Sequence, residues 1–451
     1  MHSDGLDMRP PRTFSDVSDR LEDAGFEAWA VGGAIRDHFL GVDRVDLGVD
    51  TVDWDLATSA RPNQVVDLFR RTVPLGIEHG TVGVLDPDGV MYQVTTFRRD
   101  VETDGRHAVV AFAESIDEDL ARRDFTINAI AWRERTDELR DPWGGRSDLE
   151  ARVLRAVGEP AKRFAEDYLR VLRGLRFAGV YGLTMDPPTR EALEEAVSGL
   201  SRLSAERVRE ELVKVLAAVS PSDTLHLYRD TGVLSTWYPE LDLHADEAAW
   251  DEALAAIDII SRSRGLLRLC RLILVLPTEP SEESRNDPGL VAAETMLKRL
   301  KFSGAEKRRV LHLYQHFLPF ISPVDSSAHI REWLSEIGPG TERDLFRLHF
   351  ASARAARAED AMRALVFVWR RAHEERLSGA PIERADLAVD GNDVLSLGMS
   401  RGPLVGLLLE ELHALVLEDP EFNTRDELLE KARELIDMAG LVDASAEPEV
   451  E

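Results

Sequence analysis

The stretch Thr51–Thr58, TVDWDLAT, decides how the chain is read. As a strand its side chains alternate, so Val52, Trp54 and Leu56 point to one face while Asp53 and Asp55 share the other. Two carboxylates aimed at one point repel each other unless a cation lies between them. Hard oxygen ligands on a stiff strand suit Mg²⁺. Such a pair can hold the ions that clamp a nucleoside triphosphate and activate a hydroxyl, ions about 3.5–4 Å apart in two-metal sites. Alone, D-x-D is more often a solvated strand edge, and its neighbours decide the matter.

Working outward, FEAWAV reads as a strand running into Gly32-Gly33 and then a helix, AIRDHFLG. Glycines at such a turn let backbone N–H groups approach a phosphate, where the helix N-terminus adds favourable partial charge. Arg36 lies one turn in. Asp43, Asp46 and Asp50 fall in an acidic loop and lack a period-2 partner, which makes them poorer metal ligands. A helix precedes this region at 13–25 and another follows at Asn63–Arg71. LGIEHGTVGVLDPDGVMYQVTTFR then reads as a hairpin turning at Asp86–Gly89. Residues 99–121 read as a polar, acidic, irregular loop.

In ARRDFTINAIAW the apolar spacing predicts a helix. Arg122 and Arg123 could neutralise a triphosphate, with Asp124 beside them and Asn128 one turn on to meet a ribose hydroxyl. Read blandly, Asp124 is a helix cap and the arginines are surface charge. DPWGGRSDL, 141–149, reads as a Gly-containing turn between domains. Past residue 150 the strand signal gives way to helices.

FAEDYLRVLRGLRFAG is the informative helix. At about 100° per residue Glu166, Asp167, Arg170 and Arg173 share one face, Arg176 trails at its edge, and Tyr168, Leu172 and Leu175 cover the other side. An exposed face laced with ion pairs is the ordinary explanation. Base chemistry gives a sharper one. Cytosine and adenine both place an exocyclic amine donor beside a ring-nitrogen acceptor, where uracil and guanine present carbonyls. A carboxylate such as Asp167 can accept from that amine, and an arginine such as Arg170 can donate to the ring nitrogen. Mismatched bases would leave buried polar groups unpaired, so the selection is strong.

Composition bounds these readings. The 451 residues, 44% hydrophobic, suffice for about two to four domains. No run has the length and apolarity of a membrane span, and a soluble cytoplasmic protein is expected. Cys270, the only cysteine, excludes an intrachain disulfide and reads as inert core. A net charge of −28 argues against nucleic-acid binding by bulk electrostatics, so a polyanion needs a local basic stripe. The densest is Lys298, Arg299, Lys301, Lys307, Arg308 and Arg309. None of the twelve histidines is followed by aspartate, which sets aside a metal phosphohydrolase domain.

Taken in order, VGGAIRD, VDWDLATSA, RRDFTINAIAW and EDYLRVLRGLRFA, followed by a helical remainder, resemble the class II tRNA nucleotidyltransferases. These are the CCA-adding enzymes and their bacterial poly(A) polymerase relatives. The resemblance implies an α+β fold: a polymerase-β-type nucleotidyltransferase head with a small mixed sheet, then an all-α neck, body and tail. The expected bounds are 1–149 for the head, 150–240 for the neck, 241–380 for the body and 381–443 for the tail, with a disordered acidic end at 444–451. It further implies that Asp53 and Asp55 hold Mg²⁺, and that Gly32, Gly33, Arg36, Arg122, Arg123, Asp124 and Asn128 bind triphosphate and sugar. Glu166, Asp167, Arg170, Arg173 and Arg176 would select the base. The implied reaction is transfer of CMP and AMP from CTP and ATP to a tRNA 3′ end with release of pyrophosphate. Poly(A) synthesis, A-addition alone and a catalytically inactive RNA-binding scaffold are the alternatives, and the sequence leaves the oligomeric state open.

Overall fold

The computed structural model describes residue 6 and residues 8–41, 54–103, 108–244, 246–276, 287–318 and 320–439. Asp53, Asp43, Asp46, Asp50 and the acidic C-terminal end lie outside the described residues. The chain divides into two compact units, Met1–Ala245 with Thr295–Phe302, and Asp246–Glu294 with Ser303–Glu451.

The first unit is built on a seven-stranded mixed sheet. Its strands are β1 Ala28–Val31, β2 Asp55–Thr58, β3 Thr72–Pro74, β4 Thr81–Leu85, β5 Met91–Thr96, β8 Ala131–Arg133 and β9 Glu138–Arg140, in the order β3-β4-β5-β2-β1-β8-β9. Only β2 and β5 run parallel. All four residues of β1, AWAV, are buried because the sheet is covered on both faces. On one face Phe14, from the helix Arg12–Asp23, meets the rings of Trp54 at 4.9 Å and Tyr92 at 5.8 Å. A second cluster joins Trp29, Val31 and Ala57 to Phe97, Ile116 and Leu120.

Three readings are corrected here. Residues 98–112 are not irregular but form a hairpin, β6 Arg98–Thr103 against β7 Ala108–Phe112, with a bulge between Asp100 and Glu102. A short helix, Ile116–Ala121, follows and is capped by the Ser115 hydroxyl. The helix expected across 122–132 is instead a 3₁₀ turn, Thr126–Asn128, leading into β8. Phe125, Ile127, Ala129, Ile130, Ala131 and Trp132 are all buried. Burial on every side satisfies a helical count and a central strand equally well, and pairing with β1 selects the strand. The stretch 141–149 is only half a turn: Asp141 caps a helix, Gly145–Glu150, by accepting from the backbone N–H of Gly145 at 2.7 Å and Arg146 at 2.9 Å.

Beyond residue 150 helices dominate, apart from a two-stranded parallel pair, β10 Val153–Leu154 and β11 Thr184–Met185. The expected helix through 164–179 is broken. Pro160–Glu166 ends at Asp167, whose backbone is extended (φ −156°, ψ 106°), and Leu169–Tyr181 begins after it. The Asp167 carboxylate accepts from the Leu169 N–H at 3.0 Å, so a polar side chain restarts the helix.

Among its described residues the second unit contains helices and no strand. Cys270 is fully buried, and burial pushes its thiol up to about 12, in keeping with an inert core residue. The helices Gly391–Leu395, Pro403–Glu418 and Arg425–Ala439 share a core centred on Val394, Leu412, Val416 and Leu428. Among the described residues no helix is long and apolar enough to cross a membrane.

Candidate active site

Register places the first carboxylate. Val31 ends β1 opposite Asp55, the first residue of β2, so the chain leaves β1 beside that side chain. Gly32 there adopts φ +81°, a conformation L side chains rarely take, and a Cβ on it would sit 3.6 Å from Asp55 Oδ2. The helix Gly33–Leu40 starts at this turn. Trp54 and Leu56 are buried while Asp55 is half-buried, the alternation expected of the strand.

Asp55 opens onto a polar cavity of about 420 Å³ whose border also includes Gly32, Gly33, Arg36, Arg122, Arg123, Asp124, Asn128, Asp167, Arg170 and Arg173. Eleven of the fourteen residues singled out in the sequence therefore meet at one place. Glu166 and Arg176 do not border it, and Asp53 lies outside the described residues. Arg98, Asp119, Thr81, Gln93, Thr95 and Phe177 border it and were missed.

The arginines are held by carboxylates beneath them. Asp119, 1% exposed, accepts from Arg122 Nε at 3.0 Å, from Arg123 Nη2 at 3.1 Å and from the Arg98 backbone N–H at 3.1 Å. Burial works to raise its pKa, but the two guanidiniums and the N–H outweigh it and hold the carboxyl below its usual range. The pattern D-x-x-R-R, an i, i+3, i+4 set on a helix, was the available signal. Reading 99–121 as a loop concealed it.

Asp124 is similarly buried. Its Oδ2 accepts from Arg173 Nε at 2.7 Å, and its Oδ1 accepts from Asn128 Nδ2 at 3.0 Å. Against the opposing effect of burial, Arg173 and then Asn128 hold the carboxyl far below the carboxylate norm. The pair likewise raises Arg173 despite its desolvation. Asn128 Oδ1 in turn accepts from Arg36 Nη1 at 2.9 Å. Arg36 is 6% exposed, also donates to Tyr181 Oη at 2.6 Å and Asp37 Oδ1 at 2.9 Å, and lies over the Tyr181 ring at 4.5 Å. It sits at the cavity border chiefly as a brace for Asn128.

All five base-selection candidates are held by ion pairs, though not along one helix face. Asp167 receives a two-pronged bond from Arg207, Nη1 to Oδ1 at 3.0 Å and Nη2 to Oδ2 at 2.6 Å. Arg170 Nη1 donates to Glu166 Oε2 at 2.7 Å, and its Nη2 donates to the Arg122 carbonyl at 3.0 Å, tying this junction to the arginine pair. Glu166 thus acts behind Arg170. Arg176 donates to the buried Glu211 at 2.7 Å and packs over Phe177 at 4.5 Å. Each carboxylate oxygen carries two lone pairs, so Asp167 can accept a further donor while Arg207 fixes its plane. Arg207 lies 40 residues downstream on the helix Ala205–Leu216, and no local pattern links it to Asp167.

The expected basic cluster is largely paired. Arg299 is clasped by Glu240 through both nitrogens at 2.5–2.7 Å, Lys301 meets Glu206 at 2.6 Å, and Arg309 meets Asp344 at 2.6 Å. Among the described residues there is no group of three or more His, Cys, Asp or Glu arranged to hold a metal ion. Asp55 nevertheless presents a hard carboxylate donor to the cavity, the kind of ligand a divalent cation takes.

A mixed sheet carrying an acidic strand, an arginine-lined cavity and a flanking helical pair define a polymerase-type nucleotidyltransferase. The family model described as the poly A polymerase head domain matches residues 28–155, and that of the probable RNA and SrmB-binding site of polymerase A matches 182–244. The CCA-adding enzyme of Leuconostoc mesenteroides is 34% identical over 380 residues, 76% of this chain and 92% of its own length. That of Anoxybacillus flavithermus is 33% identical over 427 residues, covering 92% of this chain and 95% of its own. The crystal structure of the Bacillus stearothermophilus CCA-adding enzyme in complex with CTP superposes with a TM-score of 0.74 at 27% identity, covering 96% of this chain and 99% of that one. The chain belongs to the CCA-adding enzyme family.

Proposed function

We propose that the protein adds CMP, CMP and AMP to the 3′ end of tRNA, using CTP and ATP. The single observation that carries this reading is that Asp55 and the Asp167/Arg170/Arg173 group border one cavity. Chemistry at the α-phosphate and inspection of the base can then occur on one bound nucleotide. Arg122 and Arg123, fixed by Asp119, neutralise the triphosphate, and the Gly32-Gly33 turn admits a phosphate against backbone N–H groups. Asn128, oriented by Arg36 and Asp124, meets the sugar.

Asp167 accepts the exocyclic amine of cytosine or adenine and Arg170 donates to the adjacent ring nitrogen, while uracil and guanine offer neither partner in the right sense. The tRNA 3′ hydroxyl oxygen attacks the α-phosphorus, the bond to the bridging oxygen breaks, and pyrophosphate departs. Asp53 and Asp55 would hold Mg²⁺, which supplies acidification of the attacking hydroxyl and charge balance for the leaving group. In this reading 1–149 is the catalytic head, 150–240 the selecting neck, and 241–380 and 381–443 the body and tail. A tRNA substrate makes the cytoplasm the place of action.

Sequencing the products formed with CTP and ATP on tRNAs ending in the discriminator base, C or CC tests this directly. A stop at CCA on all three supports it. Unlimited A tails would indicate poly(A) synthesis, and extension of CC ends alone would indicate A-addition.

A further inference from the structure

Tyr168 follows Asp167 directly at the helix break: the backbone is extended at Asp167 (φ −156°, ψ 106°) and already helical at Tyr168 (φ −62°, ψ −16°). The Tyr168 ring lies on the buried backbone of Gly199, in the 3₁₀ segment Val197–Arg202 of the same compact unit. A Cβ on Gly199 would fall on Cε1, Cδ1 and Cζ of that ring, far inside van der Waals contact, so only glycine lets the ring lie there. Gly199 has no positive φ, and the ring rather than the backbone is what requires glycine. The Arg202 guanidinium stands over the same ring, 5.5 Å from its centroid. The 3₁₀ segment is itself pinned, since the Trp237 indole N–H donates to the Leu200 carbonyl at 2.9 Å. Arg207, which grips the Asp167 carboxylate, lies just beyond on the helix Ala205–Leu216. One stretch, 199–207, thus holds both residues at the break. The Arg207 fork fixes the plane of the carboxylate but not the position of the Cα behind it. An extended residue between two helices keeps two soft torsions, and immobilising its successor removes that freedom.

We propose that Tyr168 is a positioning residue for base selection: its ring, seated on Gly199, sets the place of the Asp167 carboxylate against the incoming cytosine or adenine. Tyr168 acts through Asp167 and does not itself border the nucleotide cavity. The hold is made by the ring, through Gly199 and Arg202, and not by the hydroxyl. The inference rests on the reading of Asp167 as acceptor of the base amine.

The test uses the full chain and a tRNA ending in C, and measures kcat/KM for CTP and for UTP beside Tm. Tyr168→Ala is expected to lower the CTP-to-UTP ratio about 10- to 100-fold, the order of effect when a positioned group moves by about 1 Å. Lost packing alone would lower Tm and both rates together, so the ratio reports positioning. Tyr168→Phe keeps the ring and should keep the ratio. Gly199→Ala leaves the ring in place of sequence but pushes it off its seat, and should lower the ratio as well. Added to Tyr168→Ala it should cause no further fall, because the two changes disrupt one contact. Gly199→Ala and Tyr168→Phe carry the test if Tyr168→Ala does not fold. An unchanged ratio in Gly199→Ala or in a folded Tyr168→Ala overturns the proposal, as does an equal fall in Tyr168→Phe or additive falls in the double variant. Asp167→Ala is measured in parallel. Retention of the wild-type ratio there overturns the reading of Asp167 itself, whereas its loss there with an unchanged ratio in Tyr168→Ala overturns this proposal alone.

Discussion

Arg207 grips both oxygens of Asp167, Nη1 to Oδ1 at 3.0 Å and Nη2 to Oδ2 at 2.6 Å, across 40 residues of chain. The carboxylate proposed to read the base amine is thereby fixed in plane by a guanidinium from another helix. Losing it frees Asp167 to rotate without removing any group that touches substrate. Arg207→Ala is expected to lower kcat/KM for CTP and ATP by about 10- to 100-fold, the effect of one charge-assisted bond. Misincorporation of UTP should rise relative to CTP. Arg207→Lys, a point charge without the fork, should not restore discrimination. Competition assays with paired nucleotides read this out.

Arg173 and Asp124 form the second such contact, at 2.7 Å, with Asp124 only 7% exposed. Arg173→Ala leaves a buried carboxylate without its counter-charge, a loss of about 3–5 kcal/mol by analogy with other broken buried pairs. Thermal denaturation should show a clear drop in Tm together with lost activity. The folded Asp124 carboxyl lies far below its unfolded value. Its contribution is therefore complete above about pH 4 and is lost as pH falls below that, because the unfolded chain takes up the proton first. Asp124→Asn should flatten the acid limb of the stability profile.

His349 gives a second pH dependence, in the other compact unit. It is flanked by Phe317, with ring centroids 4.1 Å apart, and Phe320, at 4.0 Å, and burial lowers its pKa to about 4. The unfolded chain protonates near pH 6.5 while the folded one stays neutral, so stability falls as pH drops from about 6.5 to 4, by at most about 3 kcal/mol. Denaturant titrations at pH 7 and pH 5 should show this difference, reduced in His349→Leu.

Gly145 lies against the turn that carries Asn128. A Cβ there would come 2.1 Å from the Thr126 carbonyl oxygen, a backbone atom that cannot step aside alone. Gly145→Ala should cost about 1–3 kcal/mol or more and displace Thr126–Asn128. The expected signature is a lower Tm accompanied by a raised KM for nucleotide.

The sequence made legible whatever short-range pattern determines. The β1, Gly32-Gly33 and helix succession and the acid-bearing strand appear where the pattern put them, and the arginines at 122–123 border the cavity although they end a helix rather than begin one. The break at Asp167 was not legible, because a helical count continues smoothly through it. Its cause is an aspartate that bonds its own backbone locally and Arg207 remotely. The strand at 131–133 was mistaken for helix because complete burial erases the difference between the two periods. Asp119 and Arg207, which hold the site together, act through partners that only the folded chain supplies.

Single-turnover incorporation of CMP by Asp55→Ala, measured beside tRNA affinity, tests the central claim most directly. If Asp55 serves the α-phosphate in the cavity where Asp167 and Arg170 inspect the base, incorporation falls at least about 10³-fold while tRNA binds within about twofold of wild type. Incorporation at the wild-type rate by the folded variant would contradict the account.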